Sequence, residues 1–382
     1  MLNGCTHTHV IDQPYNLWGT ESYIQTDSDK SLRHIQWLTP DNVDDVQGCL
    51  LIVHGMNEHS GRYGDIARHF SSRFIVLAID LTAHGLSNQV LLGAHKSLIT
   101  KNKSINAGDA YLEQSKLRNL QLPRDDIKSA VSFLKRHCQA VTNKTLPLYI
   151  LSHSLGSLVS ASFLLQPDKN TINHDVDGII FSGPAFAVTK VPGWRSWFQN
   201  PLIDFTFHTH EHFLNPHNEP LPLLVFNQLL ALITVPIQDG LIEFTSLPGL
   251  RTVFSQSKPS WVMDHLTDSE EELNKLNQDQ YIINRSILNY VLGIEKEIIN
   301  FRKRMAGFNI PYLLIYSEHD PITPAWGNLD FIDATFNNHS DNKIMLLENN
   351  AFHEQLFSEP KKRSQILSEI DNWLDTRLKG TK

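Results

Sequence analysis

Cysteine is scarce in this chain of 382 residues, and the three present form no pattern. Cys5, Cys49 and Cys138 stand far apart, without the paired spacing that a cysteine metal site requires. Cys49 and Cys138 fall in or beside apolar segments, so buried free thiols are expected, as suits a reducing compartment. A basic excess is also lacking. The 33 Lys and Arg against 41 Asp and Glu leave a net charge of −8, which argues against a dedicated nucleic-acid surface. The first 20 residues hold no basic start followed by an apolar run, so no secretory signal is expected. No clean membrane-spanning run exists either. Leu221–Gln238 carries no charge, but Pro222, Asn227, Gln228 and Pro236 are costly in hydrocarbon, and a buried or interface-facing helix is expected. The expected location is cytoplasmic, at most peripheral to a membrane.

What is present is an ordinary globular composition, 41% hydrophobic and 19% charged, in a chain long enough to bury a substantial core. Short continuous apolar runs at Cys49–Val53 and Phe74–Ile79 read as strands of a sheet covered on both faces. Asp125–His137 has helical spacing, with Ile127, Val131 and Leu134 on one face. A strand at Leu148–Leu151, a helix at Leu155–Gln166 stopped by Pro167, and a strand at Gly178–Phe181 follow. This rhythm predicts a doubly wound, mostly parallel α/β sheet. It breaks after Pro184 and resumes with strands at Pro311–Tyr316 and Lys343–Leu347 and a closing helix near Lys362–Leu378. Residues 1–184 and 305–382 are therefore expected to form one core, interrupted by a helical cap at 185–304. The polar stretch Leu91–Pro123 reads as an irregular surface excursion.

The chemistry centres on Pro147–Gly156, where an apolar strand runs into Ser-His-Ser-Leu-Gly and then a helix. Such a turn lifts one serine, here Ser154, above the sheet, and wants small residues two before and two after it. Gly156 meets the second requirement, while Ser152 stands where glycine is usual. A serine hydroxyl needs a base, an acid to orient that base, and donors for the developing oxyanion. Asp320 follows the strand Pro311–Tyr316, and His353 follows Lys343–Leu347, giving the order serine, acid, histidine. Glu318 is a rival acid two residues away. The backbone N–H groups of Met56, after the turn His54-Gly55, and of Leu155 are the expected oxyanion donors.

His54-Gly-Met-Asn-Glu-His-Ser-Gly-Arg-Tyr63 resembles the signature of the monoacylglycerol lipase and lysophospholipase group of α/β-hydrolases, also called serine aminopeptidase S33-like. Asp80-Leu-Thr-Ala-His-Gly-Leu-Ser87 is similar to that group's Asp-x-Arg-Gly-His-Gly-x-Ser segment, with Thr82 and Ala83 replacing Arg and Gly. His353-Glu354 before a helix resembles its C-terminal segment. The resemblance implies an α/β-hydrolase fold, a Ser154–Asp320–His353 triad, Met56 and Leu155 as oxyanion donors, and no metal or cofactor. It also implies an acyl glycerol or lysophospholipid as the small-molecule substrate. Transient membrane contact through the apolar cap fits that substrate.

Other clusters carry less. His208, His210 and His212 share a face only if their segment is a strand, and no fourth zinc ligand is evident. His353-Glu-Gln-Leu-Phe lacks the second histidine of a zinc protease helix. Trp194, Trp197 and Phe198 read as cap core before an acyl-chain lip. A peptidase or amidase on the same machinery, and a non-catalytic binding protein, remain as alternatives.

Overall fold

The computed structural model describes residues 9–101, 103–166, 175–189 and 221–380. Eight strands form one sheet: β1 (Thr20–Gln25), β2 (Leu32–Leu38), β3 (Gly48–Val53), β4 (Phe74–Ile79), β5 (Leu148–His153), β6 (Gly178–Ser182), β7 (Tyr312–Ser317) and β8 (Lys343–Leu347). Their spatial order is β1-β2-β4-β3-β5-β6-β7-β8. The β1–β2 and β2–β4 pairs are antiparallel, and every other pair is parallel. The chain steps from β3 to one side for β4 and to the other for β5. A crevice therefore opens at the carboxyl ends of β3 and β5, where open α/β sheets place their sites.

Alternation along the central strands builds two apolar layers. Cys49, Leu51 and Val53 of β3 face one layer, while Leu50 and Ile52 face the other. The first layer is closed by α3 (Gln121–Thr142) and α4 (Leu155–Leu164), the second by α1 (Gly64–Phe70) and a long C-terminal helix, Pro360–Gly380. Ile127, Val131 and Leu134 form the buried stripe of α3, as their spacing requires.

Two expectations need correction, and one element was not anticipated. Cys49 of β3 and Cys138 of α3 are joined in a disulfide with Cα atoms 6.6 Å apart, because strand and covering helix bring them together across 89 residues. The thiols therefore give no argument for a reducing compartment. Leu91–Pro123 is not irregular throughout: α2 (Gln89–Lys101) buries Leu91, Leu92, Ala94, His95 and Leu98, a helical stripe diluted by polar neighbours. The hairpin β1–β2 had no apolar signature. Strand β2 instead buries Arg33, His34 and Gln36, polar side chains that only the folded network satisfies.

Between β6 and β7 lie α5 (Leu221–Ser246), α6 (Glu270–Gln278) and α7 (Leu288–Arg302). Tyr290, Ile294, Ile298 and Phe301 of α7 join the main apolar layer. Leu288 and Leu292 of α7 also pack with Ile242 of α5. No helix among the described residues is long and apolar enough to cross a membrane.

Candidate active site

The turn after β5 holds Ser154 at φ 50° and ψ −118°, a conformation that L-residues adopt at a cost and that is found where function demands it. Backbone hydrogen bonds anchor it. Its N–H donates to Ser182 O (3.0 Å), and its carbonyl accepts from the N–H groups of Ser157 (3.0 Å) and Ala185 (3.1 Å). Gly156 is required by a close approach: a Cβ there would lie 2.4 Å from His54 O and 2.8 Å from Val53 O. Ser152 fits within β5, buried, with its hydroxyl donating to Ile180 O of β6 at 3.2 Å.

Loops after β7 and β8 bring two further side chains to this serine. His353 Nε2 lies 2.8 Å from Ser154 Oγ, and His353 Nδ1 lies 2.7 Å from Asp320 Oδ2. A carboxylate only accepts, so Nδ1 carries the ring proton and Nε2 accepts from the serine hydroxyl. All three are buried, Ser154 retaining 8% exposure. Burial works to raise the Asp320 carboxyl, but the charge and hydrogen bond of His353, with the N–H groups of Ile322 and Thr323, hold it low. Burial likewise works to lower His353, and Asp320 outweighs it, raising the imidazole above its ordinary value. Glu318 does not reach the ring: its carboxylate accepts from Asn349 N–H at 2.9 Å.

Sequence reasoning missed the supports. Thr323 Oγ1 donates to Asp320 Oδ2 at 2.8 Å, three residues on, a spacing typical of local turn bonds. The N–H groups of His353 and Glu354 donate to His265 O (2.9 Å) and Leu266 O (2.7 Å), so the segment before α6 fixes the histidine loop. No local pattern announces that contact.

Met56 and Leu155 line one cavity with Ser154 and His353, about 240 Å³ in volume. Phe254, Trp261, Val262, Leu266, Ile287, Leu288 and Val291 give it apolar walls. Gly55 abuts the serine, since a Cβ there would come within 3.1 Å of Ser154 Cβ. Glu58, Lys258 and Glu354 also line the cavity. Burial holds the Lys258 ammonium below the usual lysine range.

Among the described residues, Glu58, His153 and Glu354 offer three ligand atoms within 4.8 Å of one another. Arg62 already meets that charge. It donates to Glu354 at 3.0 and 2.7 Å and lies 3.0 Å from Glu58 Oε2, which also accepts from Tyr63 OH at 3.1 Å. Burial would raise Glu354, but the guanidinium brings it down to about 2. His208, His210, His212, Trp194, Trp197 and Phe198 lie outside the described residues.

Beneath the His54 turn, buried Asp80 accepts from Ser60 N–H (2.7 Å), Leu86 N–H (2.8 Å), Tyr15 OH (2.9 Å) and His34 Nδ1 (2.9 Å). Thr82, where the resembling segment has Arg, donates its N–H and hydroxyl to Asp126, as does Arg33 Nε at 2.6 Å.

The sheet order, and a serine lifted between β5 and α4 over the crevice, define an α/β-hydrolase. The chain belongs to the α/β-hydrolase family described as serine aminopeptidase, S33, whose profile matches residues 44–361. A monoacylglycerol lipase of Mycolicibacterium smegmatis is 21% identical over 342 residues, covering 89% of this chain and 91% of that protein. Among solved structures, a soluble variant of monoglyceride lipase from Saccharomyces cerevisiae, in complex with a substrate analog, is similar with a TM-score of 0.63 and 14% identity. The match covers 94% of this chain and 95% of that one. The monoacylglycerol lipase of Paleococcus ferrophilus gives a TM-score of 0.56 at 18% identity, over 90% and 99% of the two chains. At these identities the structural likeness speaks for the fold alone.

Proposed function

We propose that this protein is a serine hydrolase that cleaves carboxylic esters of lipids, a monoacylglycerol or a lysophospholipid, through an acyl-enzyme intermediate. The observation that carries the reading is the hydrogen-bonded line Ser154–His353–Asp320 opening on a mainly apolar cavity. His353 Nε2 takes the Ser154 proton as Oγ bonds to the ester carbonyl carbon. The N–H groups of Met56 and Leu155 stabilise the oxyanion that forms. As the intermediate collapses, the bond to the alcohol oxygen breaks and His353 returns the proton to that leaving group. Water then repeats the sequence, releasing the fatty acid and restoring Ser154. Asp320 holds the ring tautomer throughout.

Residues 185–304 act in this reading as a cap on the core formed by 1–184 and 305–382, their apolar residues receiving the acyl chain. The outer face of α5 exposes Leu221, Val225, Phe226, Leu229, Leu232 and Ile233, which suits transient contact with a lipid surface. The relative named monoacylglycerol lipase supports the lipid ester. The family description favours a second reading, an aminopeptidase. That activity needs a carboxylate for the substrate amine; Glu58, Glu295 and Glu354 line the cavity, and Arg62 engages the first and the last of them.

A fluorophosphonate probe tests the machinery: the parent protein labels and Ser154→Ala does not. Failure of the folded parent to label would sink the proposal. A panel of monoacylglycerols, lysophospholipids, p-nitrophenyl esters and aminoacyl amides then sorts the substrates. Preference for the amides would overturn the ester reading.

A further inference from the structure

The cavity beside Ser154 contains a cation that the reaction does not use. Lys258 is the only lysine or arginine among the described residues that line it. The residue is partly buried, and no hydrogen bond or ion pair with a described residue reaches its ammonium. Taking an unpaired ammonium out of water is costly, and burial lowers Lys258 below the usual lysine range. The carboxylates whose charges oppose that shift, Glu354 and then Glu58, are committed elsewhere. Arg62 donates to Glu354 at 3.0 and 2.7 Å and lies 3.0 Å from Glu58 Oε2, which also accepts from Tyr63 OH. Glu295, the third carboxylate of the wall, stands on α7. Lys258 therefore offers the cavity a charged donor with no acceptor of its own.

Its backbone is held in place. The Lys258 N–H donates to Asn284 O at 2.9 Å, at the end of a two-stranded ribbon that pairs Ser255–Ser257 with Arg285–Ile287. Asn57 pins this ribbon to the turn that carries Met56: its side chain donates to Ser286 Oγ (2.9 Å), and its carbonyl accepts from Ile283 N–H (3.1 Å). The lysine also lies on a particular side of the cavity. The carboxylate that acts on it most is Glu354, next in the chain to His353. In the proposed reaction His353 returns the proton to the leaving alcohol, so the head group occupies that same side. On a monoacylglycerol the leaving alcohol carries only neutral hydroxyls. On a lysophospholipid it carries a phosphodiester, with a full negative charge and two acceptor oxygens.

We propose that Lys258 determines head-group specificity: its ammonium holds the phosphodiester of a lysophospholipid while the apolar wall takes the acyl chain, so lysophospholipids are preferred over monoacylglycerols. This rests on the serine-hydrolase reading. Charge-assisted hydrogen bonds are about twice as strong as neutral ones, which is the source of the preference.

The test compares lauroyl-lysophosphatidylcholine, lauroyl-lysophosphatidylglycerol and monolauroylglycerol, one chain length throughout, each presented in the same neutral detergent micelles. The parent is expected to show the higher kcat/KM on both phosphate-bearing esters. Lys258→Met should lower the ratio of kcat/KM on either phospholipid to that on monolauroylglycerol by about 10- to 100-fold, chiefly through KM. Lys258→Arg should restore most of that ratio. Equal losses on all three esters, as a merely structural lysine would give, overturn the inference. So does a Lys258→Arg ratio as low as that of Lys258→Met, or a loss confined to one phospholipid. Lys258→Gln, polar and uncharged, is read in the same way should Lys258→Met fail to fold. A parent that prefers monolauroylglycerol overturns the inference without any variant. In each of these outcomes Ser154 still labels with the fluorophosphonate, whereas a parent inert to the probe and to every ester overturns the hydrolase reading itself.

Discussion

At the scale of single residues, Asp320 and His353 set the expected pH response. His353 must be neutral to take the Ser154 proton, and its folded value lies above the ordinary ~6.5. The acidic limb of kcat/KM should therefore have its midpoint above ~6.5, with activity rising as pH rises through it. Asp320→Asn removes the main influence that raises the imidazole and leaves burial, which lowers it, against the lesser pull of Glu354 and Glu58. A pH–rate profile should show the midpoint move down and kcat drop by about 10³–10⁴-fold; an unmoved midpoint would contradict the assignment. The same pair links to stability. A raised histidine contributes below its unfolded value of ~6.5 and loses that contribution as pH climbs through its folded value. A lowered aspartate contributes above ~3.9 and loses it as pH falls, so the pair stabilises most between these limits. Ser152 is a packing choice within β5. Ser152→Gly removes a buried hydrogen bond and frees a strand residue, so urea unfolding should show a loss of about 1–2 kcal/mol, with kcat near the parent value. A large gain in kcat would mean that the hydroxyl crowds the turn.

At the scale of elements, the site depends on how closely α4 approaches β3. Gly156→Ala sets a methyl against two backbone oxygens that cannot step aside. Overpacking of this kind costs about 1–3 kcal/mol, and it also separates Ser154 from the Met56 turn. Thermal unfolding and ester hydrolysis should therefore both decline, and preserved kcat would show that the helix can shift without disturbing the serine. The strands β4 and β8 were legible residue for residue, because each is a short apolar run, fully buried in β4 and half-buried at the sheet edge in β8. Strand β2 was not, because its buried Arg33, His34 and Gln36 look like surface residues until Asp126, Asp80 and Ser60 are placed around them. Helix α2 was missed for a related reason. Its stripe includes a polar residue, His95, and alternates with lysine, serine and threonine, so only burial makes it visible.

At the scale of the whole molecule, the apolar outer face of α5 is the feature to test against lipid. Phe226 is 57% exposed and Leu232 is 72% exposed, and burying such a side chain at an interface is worth about 1.5–3 kcal/mol. Replacing both by Asp should weaken hydrolysis of monoacylglycerol in micelles by about tenfold or more while sparing a soluble short-chain ester. Equal losses on both substrates would place this face in the fold or the cavity and not at a lipid surface. The segment before α6 also reaches inward, since His265 and Leu266 hold the backbone of His353 and Glu354.

The sequence by itself determined the sheet rhythm and the placement of Ser154, Asp320 and His353, each just past an apolar run. Local patterns can do this because strand ends and tight turns are set by neighbours in the chain. Only the tertiary structure decided which acid reaches His353, how Ser152 is accommodated, and that Cys49 meets Cys138. It alone disclosed that Arg62 pairs with both Glu58 and Glu354 and that His54 grips the Gly55 carbonyl. Those contacts join residues that the chain separates or that share a peptide unit only by orientation. Their strength comes from burial that no stretch of sequence displays.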